Sequence, residues 1–146
     1  MNPHNRLDLQ KYNQSNIEEF RANAGRLGGP FEGATMLLLT TVGAKTGLSR
    51  TNPLMYFADG NRYLIAASYA GGPNNPPWYY NLLATPIVEV EMGTERFQAR
   101  AEILNEPERA TLYARIASTY PMFAEYQRQT TRPIPVIALY RQQGTR

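Results

Sequence analysis

Residues 38–57 read LLTTVGAKTGLSRTNPLMYF, two apolar strand-like segments joined by a glycine-rich turn that carries Lys45, Thr46 and Arg50. Gly43 and Gly47 can supply positive φ at low cost, which would let backbone N–H groups converge on one side of the turn with a lysine, a hydroxyl and an arginine around them. Such a turn suits a phosphate. It is not a nucleotide P-loop, which needs an earlier glycine at fixed spacing, a Gly-Lys pair with nothing between, and a helix afterwards. Here Ala44 separates Gly43 from Lys45, and Asn52-Pro53-Leu54-Met55-Tyr56-Phe57 favours a strand. The same spacing also fits a solvated hairpin whose basic residues serve solubility alone.

Outward from the turn, Ala34–Val42 and Thr51–Ala58 read as paired strands, Asp59-Gly60 as a hairpin turn and Arg62–Ser68 as a third strand, giving a three-stranded meander. Tyr69–Pro77, YAGGPNNPP, is a loop, and Trp78–Ala84 has the length for a short helix. Ile87–Met92 alternates, with Glu89 and Glu91 on one side and Val88 and Val90 on the other; Arg96–Leu104 follows the Gly93-Thr94 turn, so both strands are antiparallel and half exposed. A helix is expected from Glu106 to about Ser118, more helix over Met122–Arg128, and a last strand over Ile134–Tyr140. Upstream, Asn16–Ala24 reads as a helix capped by Ser15 or Asn16 and closed by Gly28-Gly29-Pro30. Residues 1–15 show no pattern and read as a flexible N-terminus, leaving 16–146 as one domain. Six strands with tight turns and flanking helices indicate an α+β, mainly-β fold, a small antiparallel barrel.

Composition narrows the chemistry. The 146 residues contain no cysteine and one histidine, His4, in the polar N-terminus. Disulfides, thiolate nucleophiles, histidine triads and the usual zinc motifs are therefore absent. A net charge of +3 spread along the chain argues for an anionic small molecule rather than nucleic acid. No window reaches the length of a membrane span and no signal-peptide core opens the chain, so a cytoplasmic protein is expected.

Two further patches could carry function. AASYAGGPNNPPWYYN, residues 66–81, runs from a strand end with Ser68 into a loop that delivers Trp78, Tyr79 and Tyr80 together; it could lie along a flat heterocycle, with Ser68 donating to a ring carbonyl. The plainer reading makes Trp78 a core anchor. In YPMFAEY, residues 120–126, Tyr120, Phe123 and Tyr126 form one helical stripe that either packs in the core or roofs a pocket and offers phenol protons to an oxyanion. The carboxylates, Glu89 and Glu91 included, read as exposed surface.

These patches, in this order and spacing, together with DGNRYLIAAS and TYPMFAEYQRQTTRPIPVIAL, resemble the deazaflavin-dependent nitroreductase and quinone reductase family of actinobacteria over about residues 16–140. The resemblance implies a split β-barrel that binds coenzyme F420 and, as reduced F420, passes hydride to a quinone or another planar acceptor. It implies that Lys45, Thr46 and Arg50 hold the cofactor phosphate, that Thr51, Asn52, Pro53, Leu54 and Met55 line it, and that Ala66, Ala67, Ser68 and Tyr69 meet its ring. Pro77, Trp78, Tyr79, Tyr80 and Asn81 would close the other side. Tyr120, Phe123 and Tyr126 would face the acceptor, with Ser68, Tyr120 and Tyr126 as catalytic donors. A lipid quinone would imply a peripheral contact with the inner face of the cell membrane. Ala44 stands where relatives often carry a basic residue. Phe123 stands where relatives active on nitroimidazoles carry tyrosine, and phenylalanine has no proton to give, which speaks against nitro reduction. An FMN enzyme on the same barrel and a non-catalytic F420 carrier are the alternatives.

Overall fold

The computed structural model describes residues 6–142. Helix α1 (Arg6–Ala22) leads to β1 (Met36–Val42), β2 (Ser49–Met55), β3 (Phe57–Asp59) and β4 (Arg62–Ala66). Helix α2 (Pro77–Ala84), β5 (Ile87–Met92), β6 (Glu95–Ile103), α3 (Glu108–Thr119), α4 (Pro121–Arg128) and β7 (Val136–Arg141) complete the order. The capping signals place the first helix at Asn16, whereas it begins at Arg6. Residues 1–5 of the N-terminal stretch lie outside the described residues.

The seven strands form one antiparallel sheet in the order β2-β1-β5-β6-β7-β4-β3. The expected hairpin is present, with Val42 opposite Ser49 and Met36 opposite Met55. The expected meander is not. β2 pairs only with β1, and β3 pairs with β4 at the far edge of the sheet. The strand expected over Thr51–Ala58 is therefore two strands, divided at Tyr56, whose N–H donates to Thr35 O at 3.0 Å while its carbonyl accepts from Thr35 Oγ1 at 2.6 Å. Since one residue spans only a few ångströms, the two edges of the sheet must meet, and the sheet curls into a split barrel. Pro53 sits on β2 without cost because an edge strand has a row of donors that needs no partner.

The inside of the barrel is filled by Leu37, Leu39, Ile65, Trp78, Leu82, Val88, Val90, Ile137 and Leu139, all nearly inaccessible. On the outside, α3 and α4 cover Leu64, Val136 and Ala138, and α1 covers Met36 and Leu38. The helix α1 corrects one expectation: Glu91, read as exposed, is 8% exposed, since Arg21 of α1 closes on it at 2.9 Å and Arg96 at 3.3 Å. Arg21 above all, and then Arg96, hold its carboxyl below the usual range despite burial.

Candidate functional site

The β1–β2 turn is built differently from the anion nest its glycines suggest. Gly47 takes a left-handed φ of 73°, but Gly43 does not. Gly43 is needed for space instead, because a Cβ there would stand 2.7 Å from Thr46 Oγ1 and 3.0 Å from Leu48 O. The Gly43 N–H donates to Leu48 O, the Gly47 N–H to Gly43 O and the Leu48 N–H to Thr46 Oγ1. The Ala44 N–H donates to Asn81 Oδ1 at 2.9 Å. With these donors spent inside the fold, attraction for an anion rests on side chains. Lys45 and Arg50 are exposed, and neither has a carboxylate partner among the described residues.

Asn81 is the fastener of this wall. It is 8% exposed; besides accepting from Ala44, its Nδ2 donates to Thr41 Oγ1 at 3.0 Å. One amide thus ties α2 to the hairpin, pairing the buried Thr41 hydroxyl and the Ala44 N–H. The register also sorts the residues expected to line a cofactor. Side chains alternate along a strand, so Arg50, Asn52 and Leu54, opposite Thr41, Leu39 and Leu37, share the face toward the barrel and α2. Thr51, Pro53 and Met55 share the other face; Thr51 Oγ1 lies 2.8 Å from Thr40 Oγ1, and Met55 packs with Met36 under α1.

After β4 the backbone is strained. Tyr69, Ala70 and Gly71 have φ of 49°, 53° and 78° in succession, a conformation that costs a non-glycine residue about 1–3 kcal/mol. Gly71 cannot be replaced in place, since a Cβ would meet Gln129 Oε1 at 2.6 Å and Tyr126 O at 3.1 Å. The loop is held from behind by Arg132, which donates through Nε to Gly72 O, through Nη1 to Ala67 O and Asn75 Oδ1, and through Nη2 to Ser68 O. Gln127 of α4 in turn accepts from the Ile134 N–H and donates to Arg132 O. Hydrogen bonds therefore link hairpin to α2, and the Ala67–Asn75 loop to α4.

The other expected residues divide between surface and support. Ala67 and Trp78 belong to the barrel core, so Trp78 is an anchor. Ser68 is buried, while Ala66, Tyr69 and Tyr79 are half-buried and Pro77 and Tyr80 exposed. The rings of Tyr79 and Tyr80 meet edge to face at 5.4 Å, and burial pushes the Tyr79 phenol up. In the aromatic stripe Phe123 is buried, its ring 5.5 Å from Tyr126 and its carbonyl accepting from the Tyr113 hydroxyl at 2.6 Å. Burial pushes Tyr113 up to about 12 and raises Tyr126 as well. Tyr126, beside Gly71, is thus a protonated donor at neutral pH. Tyr120 looks elsewhere, into a cleft of about 250 Å³ that it shares with Phe57, Ala58, Leu64 and Ile116.

Arg132, Gln127, Asn75 and Thr41 are structural members of this site that the sequence reading did not single out. The available signal was an arginine placed just before Pro-Ile-Pro and an unbroken apolar strand, where a surface charge has no reason to be.

Residues 12–141 match a family model described as F420H(2)-dependent quinone reductase. The F420H(2)-dependent quinone reductase Rv1261c of Mycobacterium tuberculosis is 42% identical over 126 residues, which are 84% of this chain and 85% of that protein. Among solved structures, the F420-H2 dependent reductase FDR-A superposes with a TM-score of 0.65 at 38% identity, covering 72% of this chain and 93% of the other. The heme storage protein HutZ of Vibrio cholerae, at 17% identity and a TM-score of 0.59 over 90% of this chain and 91% of its own, shares the fold alone.

Proposed function

The chain belongs to the F420H(2)-dependent quinone reductase family, and we propose that it passes hydride from reduced coenzyme F420 to a quinone in the groove bounded by the β1–β2 hairpin, α2 and the Ala67–Gly72 loop. The observation that carries this placement is the donor set. Two exposed cations without carboxylate partners, Lys45 and Arg50, flank a hairpin whose barrel face continues through Asn52 and Leu54 toward α2. A phosphate-bearing flat ring fits that order of charge followed by half-buried strand and loop.

Bound reduced F420 supplies the hydride; the chain supplies position, charge and exclusion of water. Lys45 and Arg50 would hold the phosphate, with the Thr46 hydroxyl beside them. Asn81 holds the hairpin at a fixed distance from α2. Ser68, Ala66 and Tyr69 would seat the ring edge, and Tyr79 and Tyr80 would border it. Tyr126 Oη, whose described hydrogen-bond partner is Met122 Sδ at 3.9 Å, would donate a proton to the oxygen that becomes negative on the acceptor. Phe123 adds no second proton donor beside Tyr126, which supports quinones over nitro compounds as the acceptors. The apolar side chains Leu48 and Val42, exposed at the hairpin, support a peripheral contact with a membrane surface that holds a lipid quinone.

Titration of the protein with F420 and with FMN, followed by oxidation of reduced F420 by menadione with and without protein, tests the reading. Tight FMN with weak F420 would move the chain to flavin chemistry. F420 binding without catalysed oxidation would make it a carrier.

A further inference from the structure

Arg132 is a half-buried cation with no anion beside it. Its four hydrogen-bond acceptors, Ala67 O, Ser68 O, Gly72 O and Asn75 Oδ1, lie at 3.2, 2.9, 3.1 and 2.6 Å, and all are neutral. Among the described residues no carboxylate forms an ion pair with it, whereas Arg109, Arg128 and Arg141 each have one and Arg62 has two. Desolvation by burial lowers its guanidinium from the ordinary value, while Tyr80 and Tyr113 favour the charged form.

The acceptors bracket the strained residues. Ala67 and Ser68 precede the left-handed Tyr69–Gly71 segment, and Gly72 and Asn75 follow it, so the planar fork grips both sides of the turn. A fork alone would explain the geometry. It does not explain the charge, because a desolvated cation without a counter-ion costs stability that a neutral donor would not. A ligand that brings negative charge to this loop would recover that cost.

We propose that Arg132 is a positioning residue that acts through the Ala67–Asn75 loop, fixing its left-handed backbone and supplying a positive field that favours the anionic form of the bound deazaflavin ring. The inference rests on the seating of that ring at Ser68–Tyr69. The titratable and charged groups on the elements packed around Arg132 are Tyr69 of the loop, Tyr79 and Tyr80 of α2, Glu108, Arg109, Tyr113 and Arg115 of α3, and Tyr126 with the Glu125–Arg128 pair of α4.

The test is an absorbance titration of oxidised F420, free and with excess protein, across acidic to mildly basic pH. The wild-type protein is expected to hold the ring ionised to lower pH than free cofactor. Arg132→Met should undo this by about tenfold in proton affinity, one pH unit. Asn75→Asp keeps an acceptor on Nη1 yet places a carboxylate against the guanidinium, so it should shift the ring in the same direction. Arg132→Lys keeps charge and loses the fork; it should retain most of the ring shift while weakening affinity. A ring titration unchanged in Asn75→Asp overturns the proposal, and if Arg132→Met does not fold that variant decides alone. A lysine variant that behaves like methionine overturns the electrostatic part. Failure of the wild-type protein to bind F420 would instead overturn the seating itself.

Discussion

Asn81 and Ala44 are joined across 37 positions of sequence by one hydrogen bond, from the Ala44 N–H to Asn81 Oδ1 at 2.9 Å, and the other end of the same amide reaches Thr41. Asn81→Ala would leave both partners without it. The expected loss is about 1–3 kcal/mol of folding stability, read by urea denaturation, with a several-fold weaker F420 affinity because the hairpin loses its tether to α2. Equal stability would show that water replaces the amide.

Arg50→Ala is expected to raise the F420 dissociation constant about tenfold while leaving hydride transfer in the saturated complex unchanged. Lys45→Ala should act in the same direction, and the affinity of the wild-type protein should fall with added salt more steeply than that of the double variant. An unaltered dissociation constant removes the phosphate assignment.

Two glycines should separate by environment. At Gly47, with φ of 73° and nothing within 4 Å of an added Cβ, alanine costs only the backbone term, about 1 kcal/mol. At Gly71 the same change adds the contact with Gln129 Oε1 and Tyr126 O and is expected to cost more, about 2–4 kcal/mol. Thermal melting of the two variants side by side checks the order.

Tyr126→Phe should lower the turnover number for menadione by about tenfold and leave the F420 dissociation constant in place, as expected for loss of a proton donor. Tyr120→Phe, whose ring lines the cleft beside Phe57, should change turnover less. Steady-state kinetics with each variant would reverse the assignment if Tyr120 proved the more costly loss.

Glu91 predicts an acid limb in stability. Its folded carboxyl titrates below the ordinary range, chiefly through Arg21, so the pairing stabilises the fold fully above the unfolded pKa of about 4.3. That contribution is lost as pH falls through the lower, folded value. Denaturation measured from neutral pH downward should show a shallower decline for Glu91→Gln than for the wild-type protein, and parallel curves would argue against it.

Much of the architecture was legible because local signals were strong. The Gly-rich turn, the Asp59-Gly60 turn and the alternation of Ile87–Met92 each specify pairing between neighbours in sequence. The break at Tyr56 was not legible, since Thr51–Ala58 has continuous strand character and only the distant pairing of β4 with β7, which carries the β3–β4 hairpin to the far edge of the sheet, divides it. In the site, charge and aromatic content picked out the segments that the fold gathers around the hairpin, α2 and the Ala67–Gly72 loop, and the family resemblance named the cofactor. What side chains do there depends on register and burial: alternation splits Thr51–Met55 between two faces, and Asn81 proves to be a fastener. Arg132 escaped because a lone arginine in sequence does not reveal four carbonyl and amide acceptors gathered from residues 67–75.

The joint at Tyr56 separates curvature from lining. Because the two rims of the sheet are consecutive stretches of one chain, the roundness of the barrel is enforced by connectivity and by the paired bonds to Thr35, whatever side chains face the groove. Asn52 and Leu54 could then be exchanged to suit a larger or differently charged planar ligand without flattening the sheet. An inserted residue at the joint, by contrast, would rotate β3 half a pleat against β2 and set the two rims out of phase.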